Sequence, residues 1–254
     1  LTNYAILLPP SEGKREGGDK KYIDVKEQNS FNFLEKERKF LLQKILDFIS
    51  KANNLDLEKL FVVKSNIEEI TALLKDFDQK LTLPAINRYS GVMFNAIDYP
   101  SLNEDQKNRA DQVILFIDGL FGLLKPQDFI PNYKLAISAK FTDFKIDFYW
   151  KKIFKDYLAK ILENKIILDI LPQAHRKAVD INQKNCYLIN FFTMKNGEAK
   201  NAGHISKKLK GEFIRYILGY DKINLEILHN FSHSEGYEYS EDLSSDNEII
   251  FLKK

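Results

Sequence analysis

Three compact apolar runs limit what this chain can fold into. Tyr4–Leu8 is closed at once by Pro9 and Pro10, Val113–Ile117 is partly β-branched, and Ile166–Leu171 stops at Pro172. Runs of this length and composition suit buried strands. Stretches with helical spacing lie between them. Phe33–Ile49 puts Phe33, Leu34, Leu41, Leu42, Ile45, Leu46 and Ile49 on one broad face, with Glu35 four residues before Lys39. Asp147–Leu162 does the same through Phe148, Ile153, Phe154, Tyr157, Leu158 and Ile161. Ser65-Asn-Ile-Glu68, Asn66-Ile-Glu-Glu69 and Asn103-Glu-Asp-Gln106 have capping-box spacing, and predict helices running to about Lys75 and to near Gln112. Asn196-Gly197, between Cys186–Thr193 and Ala199–Ile205, predicts a hairpin with a type I′ turn. Ser206–Leu218 is a predicted helix and Glu248–Leu252 a terminal strand. Strands and helices in this order predict an α/β or α+β fold, a mixed β-sheet flanked by helices.

A chain of 254 residues with 44% hydrophobic content has enough apolar side chains for one substantial core. No Gly, Ser or Pro stretch is long enough for a linker, and there is no repeat or low-complexity block. The expectation is one compact domain over residues 1–254, its weakest boundary near Asn182–Asn185. The opening Leu1–Leu8 lacks a basic n-region, and no unbroken apolar run approaches a membrane span, so a cytoplasmic protein without a membrane partner is expected. The single cysteine, Cys186, sits in the apolar run Cys186–Phe192 and reads as a buried structural thiol with no intrachain partner.

Lys and Arg outnumber Asp and Glu by only 38 to 36, so the net charge of +2 gives no general attraction to nucleic acid. Any such attraction has to come from segregated charge. Lys200–Arg215 carries Lys200, Lys207, Lys208, Lys210 and Arg215 against Glu212 alone, whereas Glu235–Glu248 carries six acids and no base. Lys207, Lys208 and Lys210 begin a helix directly after a strand, where ammonium groups and the helix N-terminus can act on one phosphate, and Arg215 lies further along that helix. Contacts of this kind position a protein on DNA without reading bases.

A second set of polar groups lies in or near glycine-rich loops. Ser11–Gly18 reads as a flexible loop fed by the first strand, a common setting for a ligand site. Ser11, Glu12, Lys14, Arg88, Tyr89, Lys125, Ser234 and Glu235 are candidates to converge there on a phosphate or nucleotide, with Glu12 or Glu235 as a general base. Neither a Walker sequence nor a Rossmann fingerprint is present, so no established catalytic motif supports an enzyme. His229 and His233, four residues apart and close to Glu235, are too few donors for a metal site. They read as solvated histidines beside a turn, and no metal or other cofactor is expected. Most aromatic residues, Trp150 among them, read as core.

Five segments resemble, in order, those of the YaaA family of peroxide-stress proteins: Leu7-Leu-Pro-Pro-Ser-Glu-Gly-Lys14, Arg88-Tyr-Ser-Gly-Val-Met-Phe-Asn95, Asp118-Gly-Leu-Phe-Gly-Leu-Leu-Lys-Pro126, His204-Ile-Ser-Lys-Lys-Leu-Lys-Gly211 and Ser234-Glu-Gly-Tyr237. They span nearly the whole chain. The resemblance implies a role in the hydrogen peroxide response, limitation of damage from unincorporated iron, and binding of double-stranded DNA, bent or branched, through a positively charged cleft. It also implies a helix-hairpin-helix element, for which Gly119-Leu-Phe-Gly122 followed by Lys125 is the candidate; in the alternative, these glycines simply let the chain turn at a strand end. Two positions depart from the family: His233 stands where many relatives have Asn, and His204 replaces an aromatic residue. The sequence thus carries two functional readings, a DNA-binding stress protein using Lys207, Lys208, Lys210, Arg215, Lys125, Gly119 and Gly122, and an enzyme acting on a nucleotide or other phosphorylated small molecule at the Ser11–Lys14 loop.

Overall fold

The computed structural model describes residues 2–181 and 184–254. Nine strands form the principal sheet: β1 (Tyr4–Leu8), β2 (Ile114–Asp118), β3 (Gly122–Leu124), β4 (Ile166–Asp169), β5 (Cys186–Lys195), β6 (Glu198–Asn201), β7 (Ser232–His233), β8 (Tyr237–Tyr239) and β9 (Glu248–Lys253). Their order is β7-β8-β9-β5-β4-β1-β2-β3, with β6 paired to β5. The five central strands, β9-β5-β4-β1-β2, are parallel, and the flanking pairs are antiparallel. This is the mixed sheet with helices that the sequence predicts. Every residue of β1 and β2 is buried, which is why both read as unbroken apolar runs rather than alternating ones.

Seven helices matter below: α1 (Glu35–Ile49), α2 (Val92–Ile97), α3 (Glu104–Val113), α4 (Ile146–Ile161), α5 (Gln173–Val179), α6 (Ile205–Ile217) and α7 (Leu225–His229). The capping box at the start of α3 is complete, the Asn103 side chain accepting from the Gln106 amide and the Gln106 side chain from the Asn103 amide. A helix also forms at Ile67–Leu74, but Asn66 precedes it in a left-handed conformation and makes no side-chain cap. Neither expected capping box operates there. The predicted hairpin is present, with Asn196 and Gly197 both at positive φ between the paired residues Lys195 and Glu198, the geometry of a type I′ turn.

Some residues expected in the core lie outside it. Phe33, Phe148 and Tyr157 are exposed. The buried stripe of α4 is Ile146, Trp150, Phe154 and Leu158, one residue per turn, and includes the expected Phe154, Leu158 and Trp150. Phe33 and Tyr157 cover one another at the surface, their ring centroids 4.7 Å apart.

The Asp118–Gly122 segment is the turn of the β2–β3 hairpin, so the helix-hairpin-helix expected there is not found. Strands, not helices, flank it, and the Leu120 and Phe121 amides donate inward to the buried Asp118 carboxylate. Trp150 Nε1 donates to the Gly119 carbonyl at 2.9 Å, and the indole ring lies where a Gly122 side chain would be. A Cβ added to Gly119 would meet the Leu135 carbonyl at 2.8 Å. Both glycines are therefore required by packing.

One contiguous hydrophobic core runs from Tyr4 to Phe251. Of the boundary expected near Asn182–Asn185, residues 182 and 183 lie outside the described residues. No helix among the described residues is long and apolar enough to cross a membrane.

Candidate functional site

The path of the chain through the parallel strands singles out one place. From β1 the chain moves to β2 on one side; it later returns to β4 on the other side and continues outward to β5 and β9. The loops after β1 and β4 therefore depart in opposite directions. In open α/β sheets such a reversal leaves a crevice outside the strand carboxyl ends, where ligands bind. Here it is a cleft of about 80 Å³ lined by Ser11, Glu12, Lys14, Lys134 and His175, together with apolar residues including Phe61 and Leu135.

The β1 loop is clamped rather than free, which corrects the expectation of a flexible loop. Lys14 forms an antiparallel bridge with Tyr89, the Ser90 amide donates to the Gly13 carbonyl at 3.1 Å, and the Arg15 amide donates to the Arg88 carbonyl at 2.8 Å. Ser11 Oγ donates to the Ser90 carbonyl. Arg88 is wholly buried and spends its guanidinium on the carbonyls of Arg15, Gly17, Leu81 and Ile130. It is not available to a ligand. Its task is to hold the loop in place, and five charge-assisted donors in a planar fork suit that task.

Beneath the loop lies a fixed polar cluster. Asp118, at the end of β2 and fully buried, accepts from the Leu120 and Phe121 amides on one oxygen and from the Tyr89 and Tyr133 hydroxyls on the other. Burial and the Asp118 charge push both phenols well above their ordinary range, so they stay protonated donors. The Lys14 ammonium sits 4.3 Å from the Tyr133 ring centroid and 5.6 Å from that of Tyr89, and donates to the Ser11 carbonyl at 3.1 Å. The residue as a whole is only half-buried, but its charged end is enclosed. Desolvation lowers the Lys14 pKa to about 8, although Asp118 favours the charged form.

His175 comes from α5, three residues after Pro172 ends the β4 exit. Both imidazole nitrogens are buried, and neither has a hydrogen-bond partner among the described residues. Burial drops its pKa to about 4, with Asp118 only partly offsetting this, so the ring is neutral at pH 7 and carries one donor and one acceptor without partners. Buried polar atoms are nearly always paired, so two orphans on one ring lining a cleft make it a candidate binding position. On the next position of α5, Arg176 turns to Asp169 at the end of β4, its Nε 2.7 Å from the carboxyl. Lys210 of α6 lies near that carboxyl, and desolvation lowers its pKa to about 8.

The remaining residues singled out in the sequence are dispersed. Ser234 and Glu235, expected beside the Ser11 loop, lie in the β7–β8 turn, where Glu235 is 3.5 Å from Lys208. Lys208 is also 3.8 Å from Glu212. Arg215 donates to the carbonyls of Ile97 and Asp98 and is 3.9 Å from the Asp98 carboxyl. Lys125 donates to the Gln112 carbonyl at 2.7 Å, with Asp111 and Asp128 nearby. Of the expected DNA contacts, only Lys207 is an exposed cation without an ion pair among the described residues. His229 and His233 do not share a helical face, since the first ends α7 and stacks on Tyr239 while the second is in β7 and contacts Glu212. Cys186 is half-buried, and burial pushes its thiol up to about 12.

Asp118, Tyr133, Lys134 and His175 were not singled out from the sequence. Each is an ordinary residue in its own segment, and only the fold brings Lys134 and His175 to the crevice and Asp118 and Tyr133 beneath the β1 loop. The available signal was position: Asp118 and His175 follow the carboxyl ends of two apolar runs read as strands.

A family model described as peroxide stress protein YaaA matches residues 4–243. The chain is 31% identical over 219 residues to a UPF0246 protein of Rickettsia peacockii, covering 84% of this chain and 88% of that protein. It is also 25% identical over 251 residues to a UPF0246 protein of Fusobacterium nucleatum, covering 98% of each.

Proposed function

The chain belongs to the YaaA family of peroxide stress proteins, and from that premise we propose that it serves the peroxide response by binding a nucleotide or other phosphorylated small molecule whose phosphate end enters the cleft between the β1 and β4 loops while the rest of the ligand lies outside it. The observation that carries this reading is His175, whose two buried nitrogens lack partners in a cleft that also holds Lys14. A phosphate oxygen is an acceptor for the imidazole N–H, and a ligand hydroxyl or amine is a donor for the other nitrogen. Lys14 and Lys134, both lining the cleft, supply the cations. An effect on iron-linked damage would follow indirectly, from what the ligand controls.

DNA is the second reading, favoured by a separate observation. An open groove of about 570 Å³, lined by Lys64, Ser65, Asn66, Asn132 and Lys134 as well as Glu16 and Glu69, shares Lys134 with the cleft. A backbone lying in this groove would meet Lys64 and Lys134 rather than the α6 lysines, and the binding would be sequence-independent and salt-sensitive.

One set of titrations tests both readings. A thermal-shift panel of nucleotides and sugar phosphates is expected to contain at least one stabilising ligand, giving about 2.7 kcal/mol at a hundredfold excess over Kd. Both Lys14→Ala and His175→Ala should abolish that shift. A flat panel, accompanied by duplex binding that falls with salt and is weakened by Lys64→Ala with Lys134→Ala, moves the conclusion to DNA. Neither response would defeat both.

A further inference from the structure

We propose that Lys14 is an amine nucleophile that condenses with a small aldehyde in this cleft to give an imine. This goes beyond the phosphate reading and does not depend on it, because it concerns the ε-nitrogen and not the ligand's charge. Three features set this amine apart. No carboxylate oxygen lies within salt-bridge distance of it among the described residues. The aromatic rings it lies over belong to the two tyrosines whose hydroxyls are committed to Asp118, so neither phenol is a counter-ion. The neutral amine can donate to the Ser11 carbonyl and keep its lone pair. The cleft is also small and partly apolar, of a size for a few-carbon carbonyl compound.

With its pKa lowered to about 8, roughly one Lys14 in ten is a free amine at pH 7, about 300 times the fraction for an unperturbed lysine. Lys125 and Lys210 are depressed to about 8 as well, so the pKa does not distinguish the three. Placement does. All three have carboxylates nearby, and Lys14 and Lys125 each donate to a carbonyl, but of the three only Lys14 lines the cleft that holds an unpartnered neutral imidazole.

In the reaction, the Lys14 nitrogen lone pair attacks the carbonyl carbon and the C=O π pair moves to oxygen. The nitrogen loses a proton and the oxygen gains one, forming a carbinolamine. Protonation of that hydroxyl lets it leave as water while the nitrogen lone pair closes the C=N bond; loss of the second N–H proton gives the neutral imine. Amine and aldehyde thus become imine and water, with no change in oxidation state. Neutral His175 has the acceptor and donor needed to carry the proton from nitrogen to the departing oxygen.

The test is reductive trapping. The full-length protein is incubated with glycolaldehyde and sodium cyanoborohydride near pH 8, and modified lysines are mapped by mass spectrometry. Lys14 should be the dominant site, at least about tenfold above Lys125 and Lys210 at low conversion. Lys14→Arg, which keeps the cation and cannot form the imine, should remove that adduct and leave labelling elsewhere unchanged, with circular dichroism confirming that the variant is folded. His175→Gln should slow Lys14 labelling without redirecting it. Adducts spread over exposed lysines, with Lys14 no more modified than Lys125, would overturn the proposal even if nucleotides stabilise the protein.

Discussion

His175 shows how a buried group without a partner makes stability depend on pH. Its folded pKa, about 4, lies below the ordinary histidine value of 6.5 because burial disfavours the imidazolium. Between those values the unfolded chain binds the proton and the folded one does not, so stability rises with pH and is lost as pH falls from 6.5 toward 4. The loss attributable to this ring is at most about 3 kcal/mol, and less to the extent that solvent reaches it. Replacing it with Gln, which cannot titrate, should flatten the dependence of Tm on pH across that window; parallel curves for the two proteins would exclude His175 as the cause. The sequence offered no warning of this. A lone His after Pro172 is unremarkable until α5 turns it toward the β1 loop. Arg88 makes the opposite point, since its cationic character suggested a ligand contact and its four carbonyl bonds make it part of the scaffold.

At the level of elements, the sequence was most legible where a local rule fixed the outcome. The apolar runs became β1, β2 and β4, the Asn196-Gly197 turn formed, and the capping box at Asn103 closed. It was least legible where partners came from afar. Gly119 and Gly122 fit two local patterns, and Trp150, about thirty positions downstream, decides between them by packing on the β2–β3 turn. That packing is measurable. Gly122 combines φ of +73° with an indole ring where a Cβ would sit, whereas Gly197 has φ of +79° and open space. Gly197→Ala should cost about 1 kcal/mol from backbone strain alone. Gly122→Ala should cost about 3 kcal/mol, a fall in Tm of roughly 10 °C. Similar losses for the two would mean that Trp150 yields easily and does not enforce the hairpin.

Across the whole molecule, charge in the linear sequence was a poor guide to charge in space. The basic segment Lys200–Arg215 looked like a phosphate track because its acids are few, yet Glu235 and Asp98 come from elsewhere to meet Lys208 and Arg215, and Lys210 turns inward toward Asp169. The cations that share a cleft are Lys14 and Lys134, from segments more than a hundred residues apart. What assembles them is the reversal of strand order at β1 and β4, a property of topology that no local pattern encodes. That crevice is the proposed binding site, and the histidine in it is its most direct reporter. In protein with labelled histidine side chains, NMR should show one ring titrating near pH 4, absent in His175→Gln. Saturation with the nucleotide or sugar phosphate that stabilises the protein should shift that ring's signals more than those of His204, His229 or His233. A stabilising ligand that leaves the His175 signals in place while moving others would put the site elsewhere and contradict the account.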